Sequence, residues 1–130
     1  MAWEGNEAAV KGYLEAVHAC VHTAFADSFL VSLRSLPAGH PLADRELATT
    51  VEVVVNGESG ALEEVGVVAS SGVPELDAAA VAAFGAAFPL APPPPASLSS
   101  DGNLYITWEL HRRPAEACSA SQARPWKLRF

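Results

Sequence analysis

The sequence predicts an α+β domain, a three-stranded antiparallel sheet covered on one face by two helices, with a tail able to supply a short fourth strand. Three observations carry this. An apolar stripe at helical spacing runs from Glu7 to about Phe29. Two runs of strand character, Thr49 to Val55 and Leu62 to Ala69, flank a turn signal. A second helix-forming stretch then precedes an alternating run, Leu104 to Arg112.

In the first helix Val10, Tyr13, Leu14, Val17, Val21, Ala24 and Phe25 recur at spacings of three and four. Gly12 weakens it by about 1 kcal/mol relative to alanine. Ser28 to Leu36 either continues the helix or turns, and Pro37-Ala38-Gly39-His40-Pro41 breaks the chain. The first strand is rich in valine and threonine, which suit a pleated surface. Asn56-Gly57-Glu58-Ser59-Gly60 turns it, because Asn and Gly tolerate positive φ. In the return strand Leu62, Val65, Val67 and Ala69 share one face after an irregularity at Glu63-Glu64.

Ser70-Ser71-Gly72 ends that strand, and Pro74 sits where a first helical turn accepts proline. Asp77 suits the positive N-terminal end of the helix that follows, and Ser71 is placed to satisfy amides there. Glu75 to Phe88 is alanine-rich, with Leu76, Val81, Phe84 and Phe88 as its larger apolar residues, and Pro89 stops it. Pro92 to Pro95 reads as a stiff connector; its alternative is a ligand for an aromatic groove. Leu104, Ile106, Trp108 and Leu110 then alternate with Tyr105, Thr107, Glu109 and His111. Pro125 to Phe130 has the composition of a short last strand, with Pro125 at its start or on an edge. Trp3, Trp108 and Trp126 are expected to be packing residues.

A chain of 130 residues, half of them hydrophobic, makes one domain with a sizeable core. Its body spans about 7–112 and its tail 113–130. The net charge of −7 argues against nucleic acid as a partner, since phosphate neutralisation needs a basic track. Apolar runs are broken too often for a membrane span. Glu4, Glu7 and Glu15 stand where a signal peptide would be basic and then apolar, so any anchor or export signal is expected upstream.

Little points to catalysis. Ser70-Ser71-Gly72 is not the Gly-x-Ser-x-Gly elbow of hydrolases. Glu63 and Glu64, as strand neighbours, point to opposite faces. No glycine-rich phosphate loop is present, and neither enzymatic activity nor a cofactor is expected. His18, Cys20 and His22 form a His-x-Cys-x-His cluster on the first helix. The histidines, four apart, share a face, while Cys20 lies about 200° around the helix from each. They read as surface or interfacial residues, and no metal is assigned, a small metal-binding domain being the lesser alternative. Cys20 and Cys118 are either free thiols or, in an oxidising compartment, a disulfide tying the first helix to the tail.

The ordered set of Gly57, Ser71-Gly72, Leu76-Asp77, the alanines of 78–83, Pro89 with Pro92 to Pro95, and Leu104 to Leu110 resembles the C-terminal domain of the TonB family. The resemblance covers roughly Tyr13 to Arg112. It implies a periplasmic domain at the far end of an inner-membrane-anchored protein, energised by a proton-driven motor complex. Such a domain grips a peptide of an outer-membrane partner by strand addition and transmits force. On this resemblance the partner-binding residues are those of the last long strand: Leu104, Tyr105, Ile106, Thr107, Trp108, Glu109, Leu110, His111 and Arg112. A TolA-like or motility-type assembly module is the alternative, and edge strands also permit a homodimer.

Overall fold

The first helix, α1 (Glu7–Ala24), buries Val10, Leu14, Val17 and Val21, one stripe at spacings of four and three. The computed structural model describes residues 7–128, so the expectations for Trp3, Arg129 and Phe130 lie outside the described residues. At Phe25–Leu30 the helix widens into a π turn before residues 31–32 resume the α form. The sequence explains the widening. Phe25 and Leu30 are five apart and both buried, and a turn closed at i to i+5 keeps them on the same side. The Ser28 hydroxyl donates to the Thr23 carbonyl across that turn, at 3.0 Å.

The expected sheet forms, extended by the tail into four antiparallel strands in the order β2-β1-β3-β4: β1 (Ala48–Asn56), β2 (Leu62–Ala69), β3 (Asn103–His111) and β4 (Ala123–Trp126). Between β1 and β2 the turn is tied by Asn56, whose side-chain oxygen accepts from the amides of Glu58 and Ser59, each at 2.9 Å. Gly60 closes the turn at φ +76°. A side chain there would strike the Leu90 carbonyl, 2.0 Å from the position of a Cβ, which is why the hairpin can pack on the proline-rich connector. The irregularity expected at Glu63-Glu64 is a register shift: Val54 faces Glu64, but Val55 faces Leu62.

The second helix, α2 (Pro74–Ala87), starts on Pro74 and buries Leu76, Ala80, Ala83, Phe84 and Ala87. The alanines let it approach closely. Its Phe84 ring meets Trp108 of β3 edge to face, 5.5 Å between centroids. Val51, Val53 and Val55 of β1 and Leu104, Ile106, Trp108 and Leu110 of β3 are completely buried and share one core with both helices. Fully burying each such side chain is worth about 1.5–3 kcal/mol, so this face holds the fold. Ala117, Cys118 and Ala123 extend the core into the tail. No helix among the described residues is long and apolar enough to cross a membrane.

Candidate functional site

Two backbone bonds fix which groups each strand turns toward its neighbours. The Arg112 amide donates to the Leu47 carbonyl (2.9 Å), and the Asn56 amide to the Ala61 carbonyl (2.8 Å). In an antiparallel ladder the direction alternates along the strand. Even-numbered residues of β3 therefore face β1, and odd-numbered ones face outward. The His111 amide, which donates to the Ala117 carbonyl at 2.8 Å, obeys this rule.

The outward groups in the middle of β3 are taken. Tyr105 to Trp108 pair with Trp126 back to Ala123. The expectation that a guest strand pairs with the backbone of Leu104 to Arg112 is corrected accordingly: β3 is an interior strand, and its middle is closed by the chain's own tail. The tail is well fastened. Trp108 Nε1 donates to the Ser119 carbonyl (3.2 Å), the Leu128 amide donates to Ser99 Oγ (2.6 Å), and Tyr105 packs on Trp126 with centroids 4.9 Å apart. Detaching it would expose its own buried Ala117, Cys118 and Ala123.

The side chains of that segment divide as expected. Leu104, Ile106, Trp108 and Leu110 face the core, while Tyr105, Thr107, Glu109 and His111 are half-buried on the opposite face. His111 Nε2 lies 2.9 Å from Glu109 Oε1. Tyr105 donates to the Asp101 carboxylate, which this bond holds below the usual carboxylate range. Arg112 is the exception. Its side chain is buried and its Nε donates to the Leu42 carbonyl at 2.6 Å, so it anchors the 37–47 connection and is withdrawn from any partner. Burial, followed by repulsion from Arg45, lowers its pKa.

The same phase rule describes the outer strands. In β4, Arg124 and Trp126 face β3, leaving Ala123 and Pro125 on the outer edge. Proline has no N–H, so it costs the ladder nothing and blunts the edge. In β2, Glu64 and Gly66 bond β1, and Val65 and Val67 turn their amides and carbonyls outward. Among the described residues no strand pairs with this edge. It is flanked by Val67 and Val68, exposed by 38% and 58%. Glu52, Val54, Glu64 and Gly66 form a shallow trough beside it, with room left by the missing side chain of Gly66.

At the end of β2 the double serine is occupied structurally. Asp77 accepts from the Ser71 amide (2.9 Å), from Ser71 Oγ (2.7 Å) and from Ser70 Oγ. Burial alone would raise the Asp77 pKa, but the bonds from Ser70 and Ser71 outweigh it and hold the carboxyl below its ordinary value. Gly72, at φ +89°, makes the turn between strand and helix.

The cysteines do not bridge. Cys20 and Cys118 are both free, which corrects the disulfide alternative. Cys20 lies on a different side of α1 from His18 and His22, whereas buried Cys118 meets the histidine face, its Sγ 3.5 Å from His22 Nδ1. Burial, then the charge of Asp27, pushes this thiol up to about 12. No protein family, no curated protein and no solved structure matches this chain in the three comparisons made.

Proposed function

We propose that this chain is a non-enzymatic protein-interaction domain of the TonB C-terminal type, which takes up an extended segment of an envelope partner by strand addition at the β2 edge and transmits force. One observation carries the choice of surface. The β2 edge offers outward main-chain groups at Val65 and Val67 beside exposed valines, whereas the opposite edge is occupied by β4 and blunted by Pro125. The helix, hairpin, helix and strand order supports the family assignment, and the resemblance in sequence supplies its setting. That setting is the periplasm, at the end of an inner-membrane-anchored protein, with an outer-membrane protein or its periplasmic peptide as partner and a motor complex acting through the anchor. Glu52 and Glu64 line the trough beside the edge and select a guest with basic and β-branched residues.

A photo-crosslinking residue at Val68 in the envelope-anchored protein tests this. The expected result is capture of an outer-membrane protein, reduced about tenfold when Val67→Pro removes the outward amide while leaving the β1–β2 bonds in place. Capture of a second copy of this chain instead would replace the reading with edge-to-edge assembly. Equal capture with and without proline would refute strand addition at this edge.

A further inference from the structure

His18, His22 and Cys118 come together from the two ends of the chain. One ligand-capable atom from each lies within 4.8 Å of the other two. The helix supplies the histidines on one face at a spacing of four, their ring centroids 5.2 Å apart. The tail supplies Cys118, held in place because its neighbour Ala117 is buried and the Ala117 carbonyl accepts from the His111 amide. His22 presents Nδ1 to the thiol, and its Nε2 lies 3.4 Å from Asp27 Oδ1. No hydrogen bond joins the two groups as they stand, but a turn of the exposed Asp27 side chain would make the contact by which a carboxylate orients a metal-binding imidazole.

We propose that His18, His22 and Cys118 form a binding site for a zinc-class divalent ion, with Asp27 positioning His22. Two imidazoles and one thiolate suit a borderline-soft ion. Tetrahedral coordination at about 2.0–2.1 Å to nitrogen and about 2.3 Å to sulfur needs ligand atoms roughly 3.3–3.6 Å apart. The Cys118–His22 pair already meets this at 3.5 Å, and the His18 ligand atom, within 4.8 Å of the other two, closes the remaining gap of up to about 1.5 Å by side-chain rotation. Binding forms a metal–sulfur bond and two metal–nitrogen bonds, and the Cys118 proton leaves to solvent. His18 also lines a groove of about 680 Å³ between α1 and the 119–125 segment, so the site is reached by solvent on its His18 side. The site clamps the tail to α1, so the ion reinforces the strand that closes the edge of β3. It does not depend on whether β2 takes a guest.

Cobalt(II) titration of the reduced protein is the test. The expected spectrum combines tetrahedral d–d bands with a thiolate-to-cobalt charge-transfer band, and zinc abolishes both. Cys118→Ser should remove the charge-transfer band and Cys20→Ser should keep it. His18→Gln, a partly exposed substitution that leaves the core intact, should weaken binding at least tenfold. Asp27→Asn should weaken it about 10- to 100-fold. Absence of a charge-transfer band in the wild-type protein overturns the proposal. So does a band that depends on Cys20, or unchanged affinity in His18→Gln with native circular dichroism.

Discussion

Replacing Asp77 shows how much of this fold rests on the junction between β2 and α2. The carboxylate accepts hydrogen bonds from Ser70 Oγ, Ser71 Oγ and the Ser71 amide in the first turn of α2. Each bond is worth about 1 kcal/mol net, and more to a charged acceptor in a dry site. The helix end adds about 0.3–1 kcal/mol. Water replaces part of this because Asp77 is only half-buried, leaving an expected loss of about 2 kcal/mol for Asp77→Ala. For a chain of this length that lowers Tm by roughly 6–10 °C. The pH dependence has a definite sign. The folded pKa lies below the unfolded value of about 3.9, so the ionised form contributes fully above that value. The contribution is lost as pH falls through the lower folded pKa. Urea unfolding should therefore show Asp77→Asn clearly weaker than wild type at pH 7, with the gap shrinking below about pH 4. A loss under about 0.5 kcal/mol for Asp77→Ala, or a gap for Asp77→Asn independent of pH, would refute the reasoning.

Gly60→Ala should cost about 3 kcal/mol or more, since it combines a left-handed φ with a clash against the Leu90 carbonyl, and thermal melts with proteolysis of the connector will show it. Tyr13→Phe should leave stability unchanged or raise it by about 1 kcal/mol, because the Tyr13 hydroxyl is buried with no hydrogen-bond partner among the described residues and burial has pushed its pKa to about 12; a loss above about 1 kcal/mol in urea would show that the hydroxyl is satisfied in solution. Trp108→Ala should cost about 3–5 kcal/mol and loosen the tail as well as the core, since Trp108 packs on Phe84 and donates to Ser119, and loss of amide protection in β4 will report the second effect.

The elements with a strong local period were legible in the sequence. The stripe of Val10, Leu14, Val17 and Val21 fixed α1, and the alternation from Leu104 to Leu110 fixed β3 and its core face. Even the irregularity at Glu63-Glu64 could be read from the switch in apolar spacing. The π turn was less legible, although the spacing of five between Phe25 and Leu30 is its signal in hindsight. What escaped is non-local. Which edge of the sheet is open depends on where the tail lands, and nothing near Ala123–Trp126 names β3 as its neighbour. The last strand begins two residues before Pro125, so that Pro125 falls where its missing N–H faces outward. The same limit applies to the His and Cys cluster. Helical spacing placed His18 and His22 together and excluded Cys20, but their actual companion lies 96 residues from His22.

Hydrogen exchange at single-residue resolution on β2 tests the central claim most directly, first on the free protein and then with the captured guest segment. Glu64 and Gly66 amides, bonded to β1, should exchange slowly in both states. Val65 and Val67 amides should exchange fast in the free protein and become protected when the guest is bound, with Val67→Pro weakening the guest by about tenfold, the worth of one main-chain bond. Val65 and Val67 amides that stay unprotected, while the Arg124 and Trp126 amides of β4 lose protection as the guest binds, would contradict the account and return the binding edge to β3.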